Sequence, residues 1–256
     1  MTDEWVVSAD WLDANRDGVR VVDVRDAWEY DGIGHLPGAV SVPFDTFRSE
    51  DGPVGTMPPR EDWEGLLSEA GVEPGDTVVA YDDTHGVFAA RFLVTALFYG
   101  HENVRLLDGD YSAWLREHET TTDATDVAPT EYEAGDPVEG VFVDADDVLA
   151  ALDDPDTVLV DTRDPEEFEA GHLPGAVNLD WKELVDDETR ALKSRGELEE
   201  ILAGHGVTAE KRVVLYCNTA RRISHTFVAL RHLGYPDVQF YEGSLTEWEA
   251  AGHPVE

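Results

Sequence analysis

One cysteine, Cys217, is the only thiol this chain has. That excludes an intramolecular disulfide, and it excludes any metal or iron–sulfur site built on several thiolates. Basic residues are scarce too: 18 Lys and Arg stand against 56 Asp and Glu, only Lys182, Lys193 and Lys211 are lysines, and the formal net charge is −38. A surface of that sign repels phosphate backbones and anionic lipid at long range, so neither nucleic acid nor membrane is an expected partner. Long apolar runs are missing as well, since nothing approaches the ~20 residues a membrane helix needs. Met1-Thr2-Asp3-Glu4 lacks the basic start and apolar middle of a signal peptide. With a lone cysteine, these absences predict a reducing, cytoplasmic setting.

The residues that are present describe a folded protein. In 256 residues, 42% are hydrophobic and 9% aromatic, enough for two ordinary domains, each with its own core. The acidic excess coexists with regular apolar strands and is read as a heavily hydrated surface suited to high salt. At 1 M the reach of self-repulsion shrinks to ~3 Å.

The chain is one domain written twice. Val21-Val22-Asp23-Val24-Arg25-Asp26 returns as Leu159-Val160-Asp161-Thr162-Arg163-Asp164, and Gly34-His35-Leu36-Pro37-Gly38-Ala39-Val40 as Gly171-His172-Leu173-Pro174-Gly175-Ala176-Val177. Val78-Val79-Ala80-Tyr81 returns as Val213-Val214-Leu215-Tyr216, and Asp108-Gly109 as Glu242-Gly243. Repeats this long are domains rather than solenoid units. Short, nearly continuous apolar strands alternate with helical patterns, which predicts two α/β domains, each a mostly parallel sheet flanked by helices on both faces. The predicted boundaries are residues 1–120 for the first domain, a polar linker over 121–138, and 139–256 for the second. Ser8 is an expected cap for a helix from Ala9 to about Asn15, and the Ser-x-x-Glu spacings of Ser194 with Glu197 and Ser244 with Glu247 predict capping boxes.

The second copy is organised around Val213-Val214-Leu215-Tyr216-Cys217-Asn218-Thr219-Ala220-Arg221-Arg222. It reads as a buried strand, a six-residue loop beginning at the cysteine, and a helix running to about His232. Such a turn aims successive backbone N–H groups at one point, where the helix dipole adds its positive end. A thiolate at that rim, with Arg221 and Arg222 beside it, is a candidate nucleophile. Aligning Tyr81 with Tyr216 puts Asp82 where the second copy has Cys217. A carboxylate cannot do thiol chemistry, so the first copy is expected to be structural, and Asp82→Asn is expected to leave turnover largely intact. Asp23, Arg25, Asp161 and Arg163 occur in both copies and are expected to be structural ion pairs or loop anchors. His35 and His172 are expected to be satisfied turn residues on the same ground.

Over essentially its whole length the sequence resembles the rhodanese family, specifically the tandem-domain thiosulfate sulfurtransferases. The paired Asp-x-Arg and Gly-His-Leu-Pro-Gly-Ala motifs, the Tyr216-Cys217 loop and the closing Glu242-Gly243-Ser244-Leu245-Thr246-Glu247-Trp248 carry the likeness. The resemblance implies a cysteine-free amino-terminal rhodanese domain and a carboxyl-terminal one in which Cys217 carries a persulfide. Sulfur would pass from thiosulfate through Cys217 to cyanide or a thiol. Main-chain N–H groups from Asn218, Thr219, Ala220, Arg221 and Arg222 would cradle the anion, and Arg221 and Arg222 would offer charge to departing sulfite. No metal or organic cofactor is implied. Thiosulfate-using relatives place a basic residue where this chain has Thr219, and an arginine in the region of Glu166 and Glu167. Relatives using 3-mercaptopyruvate carry Cys-Gly-Ser-Gly-Val-Thr, which this loop does not match, so that donor ranks second.

Two other classes compete. Cysteine phosphatases and arsenate reductases separate cysteine and arginine by five residues; here that spacing leads to Ile223, and Arg222 comes one position early. A sulfur-carrier module loaded by a partner in a sulfur relay needs the same cup and stays open.

Overall fold

The computed structural model describes residues 4–49 and 56–256; Met1, Thr2 and Asp3, read above for targeting, lie outside them. The chain divides into two compact units. One runs to Val138 and includes Asp187–Ala191; the other comprises Glu139–Asp186 and Leu192–Glu256.

In the first unit the strands are β1 (Val6–Val7), β2 (Arg20–Asp23), β3 (Val40–Ser41), β4 (Val78–Tyr81) and β5 (Val104–Leu107). The helices are α1 (Ala9–Asn15), α2 (Ala27–Gly32), α3 (Arg60–Glu69), α4 (Val87–Phe98) and α5 (Asp110–Trp114). The strands form one five-stranded sheet in the order β1-β5-β4-β2-β3, and every registered pair is parallel. A parallel sheet covered by helices hides both faces of its middle strand, which is why β4 is apolar throughout and buried at every residue. Ser8 caps α1, accepting the Trp11 N–H at 3.1 Å.

The second unit repeats this order. Its strands are β6 (Phe142–Val143), β7 (Thr157–Asp161), β8 (Val177–Asn178), β9 (Arg212–Tyr216) and β10 (Val238–Tyr241); its helices are α6 (Ala145–Ala151), α7 (Pro165–Ala170), α8 (Arg195–Gly204), α9 (Arg221–Leu233) and α10 (Ser244–Ala250). The sheet order is β6-β10-β9-β7-β8, again parallel at every pair. The middle strand, β9, therefore delivers the residue after Tyr216 to the carboxyl edge of the sheet, the edge at which open α/β sheets bind ligands.

Register explains the repeated motifs. Asp23 lies opposite Tyr81 in the ladder, and Asp161 opposite Tyr216. Each aspartate grips the arginine two residues on: Asp161 accepts from the Arg163 main-chain N–H at 3.0 Å, from Nε at 2.9 Å and from Nη2 at 2.6 Å. The arginines then donate to Gly34 O and Gly171 O, both at 2.7 Å, at the start of each Gly-His-Leu-Pro-Gly turn. Within those turns His35 stacks on Tyr30 at 3.6 Å and His172 on Phe168 at 3.7 Å, and their Nδ1 atoms meet Tyr30 O and Phe168 O. The two motifs are thus one brace that ties a strand end to the following turn.

The 121–138 stretch contains no helix or named strand and lies along the first unit. Thr130 N–H donates to Ser68 O, Gly135 N–H to Tyr99 O and Val138 N–H to Leu97 O, and Tyr132 is buried.

Candidate active site

The Cys217 loop is tighter than its sequence pattern predicts. Helix α9 starts at Arg221, so the loop is Cys217–Ala220 and both arginines lie on the first helical turn. The sharp entry is made by Ala220, which is buried with a left-handed backbone, φ 60° and ψ −3°. Gly86 takes the same role before α4, at φ 83°. An alanine there carries a cost of order 1 kcal/mol that the surrounding structure must hold.

Hydrogen bonds from the last motif pin this loop. The Cys217 N–H donates to Ser244 Oγ at 3.2 Å, the Leu245 N–H donates to Cys217 O at 2.9 Å, and Thr246 Oγ1 donates to Asn218 O at 2.8 Å. Ser244 does not make the capping box its spacing predicts. Gly243 is the residue before α10, and the Ser244 hydroxyl instead donates to Tyr241 O while accepting from the cysteine. The Ser194 and Glu197 box is made as expected.

Cys217 itself is 1% exposed, at the carboxyl end of the middle strand. The first copy shows what main-chain groups do at this place in the fold. There the Asp82 carboxylate accepts from the N–H groups of Thr84, Gly86, Phe88 and Ala89 at 2.8, 2.8, 2.7 and 3.0 Å. Loop and helix-start amides converge on the strand-end side chain, and the carboxylate fills the cup that an exogenous anion would need. Burial, working against those amides, pushes the Asp82 carboxyl above its usual range. In the same unit the Arg190 guanidinium meets Asp110 at 2.7 Å and Asp83 at 3.3 Å.

Asp82→Asn therefore should not be silent in stability. An asparagine has one acceptor oxygen, so its NH₂ must face two of those N–H donors. We expect the first unit to lose about 2–4 kcal/mol while turnover of the folded protein is retained. Thermal unfolding followed alongside activity checks this; an unchanged melting transition contradicts it.

Around Cys217 the side chains form a linked ionic network. Arg222 pairs with Glu167 through both nitrogens, the Nη2–Oε1 contact being 3.0 Å, and stands 3.6 Å from Asp164. Glu167 also accepts Asn218 Nδ2 at 2.8 Å, and Asn218 Oδ1 accepts Arg163 Nη1 at 3.3 Å. Lys182 pairs with Asp164 and lies 3.8 Å from Asp180. The Arg222 guanidinium holds the Glu167 carboxyl down to about 2, with Asn218 helping. Burial opposes the charge of Arg222, but Glu167, Cys217 and Asp164 outweigh it and hold its proton more tightly than usual. A guanidinium in the first turn of a helix opposes the macrodipole, and the carboxylates of α7 offset that conflict.

The residues singled out from the sequence are brought together unequally. Asn218 is half-buried and bridges Arg163 to Glu167, Thr219 is exposed at the rim, Ala220 is buried, Arg221 is exposed, and Arg222 is half-buried and already paired. Sequence reasoning placed Glu167 only where relatives carry an arginine, without its contacts to Asn218 and Arg222, and missed Ser244 and Thr246 as neighbours of the loop. The repeat held one clue: Ser244 aligns with Asp110, and both have positive φ, 50° and 56°. Nothing local signalled the Glu167–Arg222 pair. Among the described residues no group of three or more His, Cys, Asp or Glu side chains is placed to hold a metal ion.

Comparison with known proteins is consistent with the repeat. The model of the rhodanese-like domain matches residues 8–117 and again 144–251. A Haloferax volcanii protein named "Putative thiosulfate sulfurtransferase" is 35% identical over 276 aligned residues, covering 98% of this chain and 96% of its own. The sulfur carrier protein TtuD of Thermus thermophilus is 33% identical over 98% of this chain and 96% of its own. Among solved structures, SseA from Escherichia coli, described with the rhodanese fold of 3-mercaptopyruvate sulfotransferases, superposes with a TM-score of 0.84 at 28% identity, covering 94% of this chain and 98% of that one.

Proposed function

This chain belongs to the family of the rhodanese-like domain, which it carries twice, and from that premise we propose that it is a sulfurtransferase working through a persulfide on Cys217. The observation that carries the reading is the asymmetry between the copies. The same strand-loop-helix ends in a self-satisfied carboxylate at Asp82 and in a thiol at Cys217, so one copy offers a nucleophile to a donor and the other does not.

In the first half-reaction the Cys217 thiolate attacks the outer sulfur of thiosulfate. A new S–S bond forms, the old one breaks, and sulfite leaves with the bonding electron pair. In the second, cyanide or an acceptor thiolate attacks the terminal sulfur of the persulfide, and the electron pair returns to Cys217. The persulfide is anionic, and the amides of the loop and of the first turn of α9 supply the complementary dipoles, as their counterparts do for Asp82. Support for a carrier role comes from the likeness to TtuD, and for a second donor, 3-mercaptopyruvate, from the likeness to SseA.

Incubating the protein with thiosulfate while following sulfite release and the mass of the Cys217 peptide tests the reading. Sulfite release with a one-sulfur mass gain, and turnover when cyanide is added, is the expected result. Mass gain only in the presence of a partner desulfurase would replace the enzyme by a relay carrier. Comparing kcat/KM for thiosulfate and 3-mercaptopyruvate at low and molar salt ranks the donors and reads the salt dependence expected of a −38 chain. No helix among the described residues is long and apolar enough to cross a membrane. A reducing cytoplasm is the setting proposed for a single reactive thiol.

A further inference from the structure

Arg222 lies in the first turn of α9, just past the Cys217 loop, and its charged form is favoured by Glu167, Cys217 and Asp164 against the cost of burial. Yet Arg222 is not waiting for a substrate anion. Glu167, in the first turn of α7, grips it through both nitrogens and is itself fixed by Asn218, the residue next to the cysteine. Asp164, at the start of the same helix, stands 3.6 Å from the same guanidinium. The carboxylates offset a cation that a dianion would otherwise use.

Building on the sulfurtransferase reading, we infer that Glu167 sets the charge of the sulfur donor: by occupying Arg222 in advance it handicaps dianionic thiosulfate relative to monoanionic donors such as an α-keto thiol. Glu167 touches no reacting atom and acts through Arg222, so it is a positioning residue for donor selection. The physics scales with charge. A fixed carboxylate repels a dianion with twice the energy it exerts on a monoanion at the same place, so its removal changes the two rates as a power of two. Salt weakens both.

Glu167→Gln is the discriminating variant. Glutamine keeps one acceptor oxygen, which can still take Asn218 Nδ2 where Oε1 does now, while the charge and the Oε2 contact with the Asp164 N–H are lost. The expected result at low salt is a rise in kcat/KM of about tenfold for thiosulfate and about threefold for 3-mercaptopyruvate, both shrinking towards one in molar salt. Equal changes for both donors, or none, in a protein whose wild type turns them over, would overturn the inference and leave the sulfurtransferase reading standing. A wild type that releases neither sulfite nor pyruvate would overturn both. A fall in kcat/KM for both donors that is indifferent to salt would reduce Glu167 to a structural brace and equally refute donor selection.

Discussion

Cys217→Ser is expected to abolish sulfur loading and transfer, by on the order of a thousandfold or more. No other side chain in the sequence can form a persulfide, because Cys217 is the only cysteine and the counterpart position is Asp82. A serine hydroxyl cannot take the sulfane sulfur into an S–S bond, so neither sulfite release nor the one-sulfur mass gain should be detectable. The site is 1% exposed, so the serine also buries a hydroxyl at a cost of about 1–3 kcal/mol. Cys217→Ala removes that ambiguity, since it introduces no polar atom; both variants should be inactive, and thermal melting checks that both remain folded. Sulfite release surviving in either variant would place the chemistry elsewhere and end the persulfide mechanism.

Asp161→Asn is expected to cost the second unit about 3–5 kcal/mol, the usual result of removing one partner from a buried ion pair. Asp161 is 0% and Arg163 4% exposed, and the carboxylate receives three donors from that arginine. Asparagine leaves the guanidinium buried without its counter-charge. The damage should also reach the loop, because Arg163 Nη1 donates to Asn218 Oδ1 beside the cysteine. Asp23→Asn makes the comparison in the first unit, where the pair is the same but no nucleophile depends on it. Urea denaturation of each variant, with activity measured below the transition, should show a stability loss in both and a catalytic loss in Asp161→Asn alone. A loss under about 1 kcal/mol in both would mean that the pairs are not the braces their geometry indicates.

The architecture was legible because its signals are local or repeated. Continuous apolar runs such as Val78–Tyr81 and Val213–Tyr216, alternating with helical patterns, match the middle of a covered parallel sheet, and a second occurrence of each motif in the same order marks a duplicated domain. The unique cysteine at a strand end drew notice on the same terms. The helix start was read two residues late because a left-handed alanine is a turn signal that composition does not carry.

By itself, then, the sequence determined the duplicated α/β plan, the one thiol and its place after a buried strand, since periodicity and repetition need no knowledge of what packs against what. Only the tertiary structure decided which charges remain available at that thiol. Glu167 meets Arg222 across 55 residues, and Ser244 meets the cysteine N–H across 27. Both contacts follow from how α7 and α10 are set against the carboxyl edge of the sheet. Electrostatics at a site depends on distance in space, and distance in space between remote residues is a property of the fold rather than of any stretch of chain.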